Sequence, residues 1–443
     1  MPSRPVSSPR VYVHTLGCPK NEADSRAVVR SLAAAGAGVV ADPEDATHVL
    51  LNTCGFIQEA REESIGAILA ACGSYGDKQV LVMGCLVERY RDELEKGIPE
   101  VAGWFGLADT TGLGEAVVGP LAIPAPLVTP APFRPPALPA ASYAYLKISD
   151  GCDEPCSFCA IPAIKGAYHS ASAAQILQDA SACLAQGARE LILVGQDTAL
   201  WECDGLGLSD LIDLLAADER VRWVRVMYLQ PDHVGDAFLQ YMAGQPKLCR
   251  YLDVPFQHAH PEVLRRMGRR GDGTAYLDLL GRARRLMPDV SVRSTFIVGF
   301  PGETEDQFEQ LLGFVDEAGF DHAGGFIYSP EEGTSAAALK PRVLRRVARG
   351  RLNRLSACLA ARAESEHQRL VGSQVAVMID SVDSEEAGEG MAAVGRMPGQ
   401  APDVDGVTYV EGDLPEGIGR GDVVTVTVTA AVGYDLIGMC DAS

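Results

Sequence analysis

Three cysteines, Cys152, Cys156 and Cys159, stand at C-x3-C-x2-C spacing in the stretch Gly151-Cys152-Asp153-Glu154-Pro155-Cys156-Ser157-Phe158-Cys159. A strand-like run, Tyr143 to Ser149, leads directly into them. A loop this short can fold its three thiolates inward around only one inorganic core. Three thiolates on a 4Fe–4S cube leave one iron without a protein ligand. An open iron can hold a substrate or cofactor, so the loop predicts a reactive site rather than a plain electron carrier. The competing reading is a structural zinc site. Such sites usually show paired C-x2-C units and a fourth ligand close by. No further Cys or His stands in that pattern; His169 follows only after a gap, with no second His beside it.

The chain has 443 residues, enough for two or three domains with real cores. Its 47% hydrophobic and 22% charged content predicts a soluble globular protein. Met1 to Arg10 has no apolar core region, so no secretory signal is expected. No apolar run reaches the roughly eighteen residues of a membrane span. Twelve cysteines without a signal then point to a reducing cytoplasm and to metal ligation rather than disulfides. The net charge of −21 argues against broad, nonspecific nucleic-acid binding and is compatible with a basic protein partner.

The first hundred or so residues read as strand and helix in alternation, which predicts a parallel α/β sheet over residues 1–119. Three of the predicted strands each run into a cysteine: Leu16-Gly17-Cys18, Asn52-Thr53-Cys54-Gly55 and Met83-Gly84-Cys85. Ligands of open parallel sheets collect at the carboxyl ends of the strands. Cys18, Cys54 and Cys85 are therefore expected to converge at one edge as a second metal-binding set. Three ordinary buried thiols are the alternative. Residues 120–142 hold eight prolines and predict a stiff, extended linker.

Six βα units are predicted over residues 143–340, an incomplete parallel barrel with the cysteine loop after its first strand. The loops at the carboxyl ends of such strands build active sites. This puts Cys152, Gly195-Gln196-Asp197, Gln257-His258 and Gly299-Phe300-Pro301-Gly302 on one face. Residues 341–370 read as a basic helical connector that Gly350 is expected to interrupt. Residues 371–443 read as a small β-barrel carrying thirteen acidic residues against two basic ones, Arg396 and Arg420.

The cysteine loop, with Phe158 before its last cysteine, resembles the radical S-adenosylmethionine (SAM) superfamily. The order of the three parts is similar to the methylthiotransferase family within it, in which a three-cysteine domain precedes a radical SAM barrel and a TRAM β-barrel ends the chain. Thr15-Leu16-Gly17-Cys18-Pro19-Lys20-Asn21 and Leu252-Asp253-Val254-Pro255-Phe256-Gln257-His258 resemble the branch that modifies a ribosomal protein. Val194-Gly195-Gln196-Asp197-Thr198 and Phe296-Ile297-Val298-Gly299-Phe300-Pro301-Gly302-Glu303-Thr304 resemble general family landmarks. Lys165 and His169-Ser170-Ala171 depart from residues common in relatives.

The resemblance implies that a methylthio group replaces a β-carbon hydrogen of an aspartate in small-subunit ribosomal protein S-twelve. It implies SAM and two 4Fe–4S clusters, one on Cys152, Cys156 and Cys159 and one on Cys18, Cys54 and Cys85. Phe158, Glu190, Gln196 and Arg293 are the implied SAM contacts, and a flavodoxin or ferredoxin the implied electron donor. Two alternatives remain open: a tRNA methylthiotransferase acting on a modified adenosine, and a non-catalytic iron–sulfur protein that binds RNA or the ribosome. RNA binding is disfavoured by the acidic C-terminal part.

Overall fold

A computed structural model describes residues 9–107, 109–119, 141–382, 387–388 and 390–440. The expected Pro-rich linker falls almost wholly outside the described residues. The chain divides into two compact units, residues 1–140 with 160–167, and residues 141–159 with 168–443.

The first unit is a parallel sheet of five strands in the order β2-β1-β3-β4-β5. These are β1 (Arg10–Thr15), β2 (Gly38–Val39), β3 (His48–Thr53), β4 (Gln79–Gly84) and β5 (Gly103–Phe105). Helices α1 (Pro19–Ala34), α2 (Gln58–Ser74) and α3 (Cys85–Gly97) alternate with them. Both faces are covered. Val49, Leu51, Val80 and Val82 pack in one apolar cluster, and Val11, Leu50, Leu81 and Met83 in another. That double burial explains the continuous apolar runs of β3 and β4. Residues 160–167 pack here too, with Ala160 and Ile164 against Cys85 and a buried Lys165–Asp24 ion pair of 3.2 Å. That segment was expected to belong with the barrel.

The second unit begins with six parallel strands: β6 (Tyr143–Lys147), β7 (Glu190–Val194), β8 (Trp223–Val226), β9 (Tyr251–Asp253), β10 (Ser291–Val298) and β11 (His322–Ile327). They form two three-stranded sheets, ordered β8-β7-β6 and β9-β10-β11. Their outward residues, among them Leu146, Leu191, Leu193, Val224, Val226, Phe296 and Val298, join the helices in one large core. Burying each such side chain contributes about 1.5–3 kcal/mol. The helices start where local chemistry dictates. Ser172 and Asp272 accept the backbone N–H of Gln175 and Ala275, and Thr304 with Gln307 forms a capping box. The basic connector is one continuous helix, Arg345–Gln368, which runs through Gly350 without the expected interruption. It is held by the buried Arg351, 3.0 Å from Glu303 and 3.1 Å from Glu305.

The last part is a closed barrel of five strands, β12 (Gln374–Ser381), β13 (Ala393–Arg396), β14 (Thr408–Glu411), β15 (Val423–Val432) and β16 (Asp435–Cys440), in the order β12-β13-β14-β16-β15. The loop between β13 and β14 closes the amino end of the parallel barrel. Arg225 donates to the Pro398 carbonyl (2.7 Å), His322 Nε2 and Ser291 Oγ to Gly399 (2.8 and 3.1 Å), and the Tyr145 hydroxyl to Pro402 (2.9 Å). The Tyr143 and Tyr145 hydroxyls donate to the Asp403 carboxylate and the Tyr251 hydroxyl to that of Asp405. The terminal barrel is thus part of the same compact unit.

Candidate active site

The cysteine loop leaves the carboxyl end of β6 and is tied down from one direction. Ser157 N donates to the Met267 carbonyl and Ser157 Oγ to the Arg266 carbonyl, both at 2.8 Å. These carbonyls end the helix α4 (Pro261–Arg266). The next residue, Gly268, has φ +72°, and a Cβ there would lie 2.2 Å from the Pro155 carbonyl oxygen, so only glycine fits. Arg269 follows. Its guanidinium donates to the Pro255 carbonyl (3.1 Å) and reaches Cys156 Sγ at 3.9 Å. Burial pushes the thiols of Cys152 and Cys156 above their ordinary range, and Arg269 pulls that of Cys156 back.

Across the mouth, Gln196 and Asp197 follow β7. Both side-chain amide atoms of Gln196 are buried with no hydrogen-bond partner among the described residues. Such orphans fit a polar ligand, since leaving them unsatisfied is costly. Asp197 is fully buried, which raises its carboxyl pKa, and its Oδ2 lies 2.6 Å from His233 Nδ1. His233 Nε2 is 3.9 Å from Glu154 of the cysteine loop. These three ligand atoms lie within 4.8 Å of one another. A metal with ligand distances of about 2 Å needs donors roughly 3 Å or more apart. The short Asp197–His233 contact therefore favours a hydrogen-bonded pair. Tyr228 and Gln257, in the loops that follow β8 and β9, hold φ of 63° and 67°. Such strain in non-glycine residues clusters at functional sites.

The remaining expected SAM contacts separate. Phe158 is half-buried and packs on the barrel core. Glu190 does not face the cysteine loop. It is the first residue of β7, at the amino end, and its oxygens accept from Arg225 Nε and Arg396 Nη1, both at 2.6 Å. Burial alone would raise its carboxyl pKa; Arg225 and Arg396 outweigh that and hold it below the ordinary value. Arg293, near the amino end of β10, is likewise taken by Asp253 (3.1 Å) and Asp405 (3.3 Å). Both stand toward the amino ends of their strands, whereas the cysteine loop leaves a carboxyl end, where the mouth of such a barrel lies.

In the first unit, Cys54 and Cys85 directly follow β3 and β4, and Cys18 stands three residues past the end of β1. Gly17 has φ +99°, and a Cβ on it would fall 2.7 Å from Cys54 Cβ, so the backbone beside Cys18 touches Cys54. Cys54 and Cys85 are each 6–9% exposed. Burial pushes the Cys85 thiol up to about 12, with Lys165 pulling against it and the charges of Cys54 and Cys18 adding to the rise. Thiols that oppose one another's ionisation this way are suited to a metal, which displaces their protons. Sequence reasoning missed Arg269, His233, Arg225 and the role of Arg396. The Gly268-Arg269 pair just after the helix Pro261–Arg266 was the one local signal for the first.

Residues 10–106 match the family described as "Uncharacterized protein family UPF0004", residues 146–315 the radical SAM superfamily and residues 371–440 the TRAM domain. A protein of Anaeromyxobacter sp. strain Fw109-5 named "Ribosomal protein uS12 methylthiotransferase RimO" is 39% identical, over 98% of this chain and 93% of its own. The protein of that name from Thermotoga maritima is 40% identical, over 97% and 99%. Among solved structures, the radical SAM methyltransferase TsrM of Kitasatospora setae has a similar fold, with TM-score 0.51 and 16% identity over 73% of this chain and 77% of its own. Near full-length similarity to the curated relatives shows that the chain belongs to the radical SAM methylthiotransferase family.

Proposed function

We propose that this chain transfers a methylthio group to the β-carbon of an aspartate in ribosomal protein S-twelve, using SAM and two 4Fe–4S clusters. The relatives carry that substrate in their name. Cys152, Cys156 and Cys159 would hold one cluster and Cys18, Cys54 and Cys85 the other. When bound, these groups and SAM supply the radical that breaks an unactivated C–H bond, and the sulfur that replaces it. The chain's own residues position them. Ser157 and Gly268 pin the cysteine loop, Gln196 offers its free amide to SAM, and the Asp197–His233 pair steadies the Glu154 side. A flavodoxin or ferredoxin of the cytoplasm would supply electrons.

The observation that favours a protein over tRNA is the fate of Arg396. It is one of two cations in residues 371–443, and it is buried against Glu190 and Asp380. Asp413 and Glu416 remain exposed, with Glu411 half-exposed beside them. RNA binding relies on Lys and Arg meeting phosphates, whereas a basic ribosomal protein is attracted to such a surface. Asp403 accepts from the hydroxyls of Tyr143 and Tyr145, and Asp405 from that of Tyr251 and from Arg293, so these two acids are committed within the chain. Mass spectrometry of cells lacking the protein tests the reading. S-twelve should lose its methylthio mass while tRNA keeps its modifications; the reverse pattern establishes the tRNA activity instead.

A further inference from the structure

Arg269 is only 8% exposed, yet no carboxylate lies within ion-pair distance of it among the described residues. Its partners there are the Pro255 carbonyl and Cys156 Sγ. Burying a guanidinium without a counter-charge is costly, and native chains pair such groups. Every other deeply buried arginine in this unit is paired: Arg225 and Arg396 with Glu190, and Arg351 with Glu303. Arg269 is therefore a cation whose anion is not a side chain. The group it touches is the sulfur of a cysteine assigned to the cluster, and a cube held by three thiolates is anionic.

We propose that Arg269 is a positioning residue that acts as the buried counter-charge of the cluster on Cys152, Cys156 and Cys159 and raises its reduction potential through the bond to Cys156 Sγ. The reduced cluster carries one more negative charge than the oxidised one, so a fixed cation and an N–H···S bond favour the reduced form. Hydrogen bonds to cluster sulfurs and local charge are among the determinants of such potentials. The anchoring is rigid. Gly268 sits against the Pro155 carbonyl and Met267 is bonded to Ser157, so the guanidinium is held to the loop by the adjoining backbone. This inference rests on the cluster assignment made above.

The test uses the full reconstituted chain with Cys18, Cys54 and Cys85 replaced by Ala, so that one cluster is read. Redox titration followed by electron paramagnetic resonance is run on that parent, on Arg269→Gln and on Arg269→Lys. At the poise that half-reduces the parent, Arg269→Gln should have a ratio of reduced to oxidised cluster about tenfold lower, which is ~59 mV for one electron. Arg269→Lys, which keeps the charge, should stay within about threefold. Iron retained by Arg269→Lys but lost by Arg269→Gln would equally support the counter-charge. An unshifted Arg269→Gln, equal shifts in both variants, or loss of iron from both would overturn it and leave Arg269 a packing residue. A parent with no cluster signal would overturn the cluster assignment itself, a separate outcome.

Discussion

Arg396 Nη1 lies 2.6 Å from Glu190 Oε2, joining the terminal barrel to the second strand of the parallel barrel. Both side chains are shut away from water, with exposures of 1% and 0%. Arg225 takes the other oxygen of Glu190, and Asp380 the other side of Arg396. Removing one member leaves uncompensated buried charge, which typically costs about 3–5 kcal/mol. Arg396→Ala should therefore lower unfolding stability in urea by about that much. Glu190→Gln should also destabilise, but leave the SAM dissociation constant within about twofold, because the pair sits at the amino end of the strands. A large loss of SAM affinity in folded Glu190→Gln would return Glu190 to the cofactor site.

Gln196 makes the opposite prediction. Its amide has no partner to lose among the described residues, so Gln196→Met should leave the thermal midpoint nearly unchanged. One or two hydrogen bonds to SAM, each about 0.5–1.5 kcal/mol, correspond to about a tenfold weaker dissociation constant. Calorimetric titration with SAM measures it, and unaltered binding would exclude the contact.

His258 is fully buried, and its Nδ1 accepts the backbone N–H of His260 at 3.0 Å. Burial lowers its pKa to about 3, against about 6.5 in the unfolded chain. Between these values the unfolded state binds the extra proton. Stability is therefore lost as pH falls from about 6.5 toward 3, by up to about 1.4 kcal/mol per pH unit. His258→Gln should cost stability at pH 7 but shed this slope, so the two urea midpoints should converge in acid. Parallel pH profiles would show that His258 does not carry the effect.

The two cysteine sets should behave independently. Replacing Cys152, Cys156 and Cys159 by Ala should leave about four irons per chain after reconstitution, as should replacing Cys18, Cys54 and Cys85. Iron analysis that finds none, or all of it, in either variant contradicts two separate sites.

What was legible in the sequence was what the chemistry forces into a pattern. The cysteines stand at strand ends because a parallel sheet gathers ligands there, and the apolar runs of β3 and β7 mark strands covered on both faces. The short strand Ala393–Arg396 and the strand Asp435–Cys440 were not legible. Each is interrupted by glycine, and pairing in a closed barrel defines them rather than propensity. The ion pairs of Glu190 and Arg293 were not legible because their partners, Arg396 and Asp405, are supplied by a segment more than a hundred residues later. Arg269 was missed for the same reason, since Cys156 lies 113 residues before it.

Methylthiolation by two clusters with divided labour is tested most directly in one reaction. Reconstituted wild type and the variant with Cys18, Cys54 and Cys85 replaced by Ala are incubated with SAM, a reductant and purified ribosomal protein S-twelve. Mass spectrometry then follows 5′-deoxyadenosine and the S-twelve peptides together. The wild type should produce both 5′-deoxyadenosine and an aspartate bearing a methylthio group, and the variant 5′-deoxyadenosine alone. Methylthiolated S-twelve from the variant at the wild-type level, or none from an active wild type, would contradict the account.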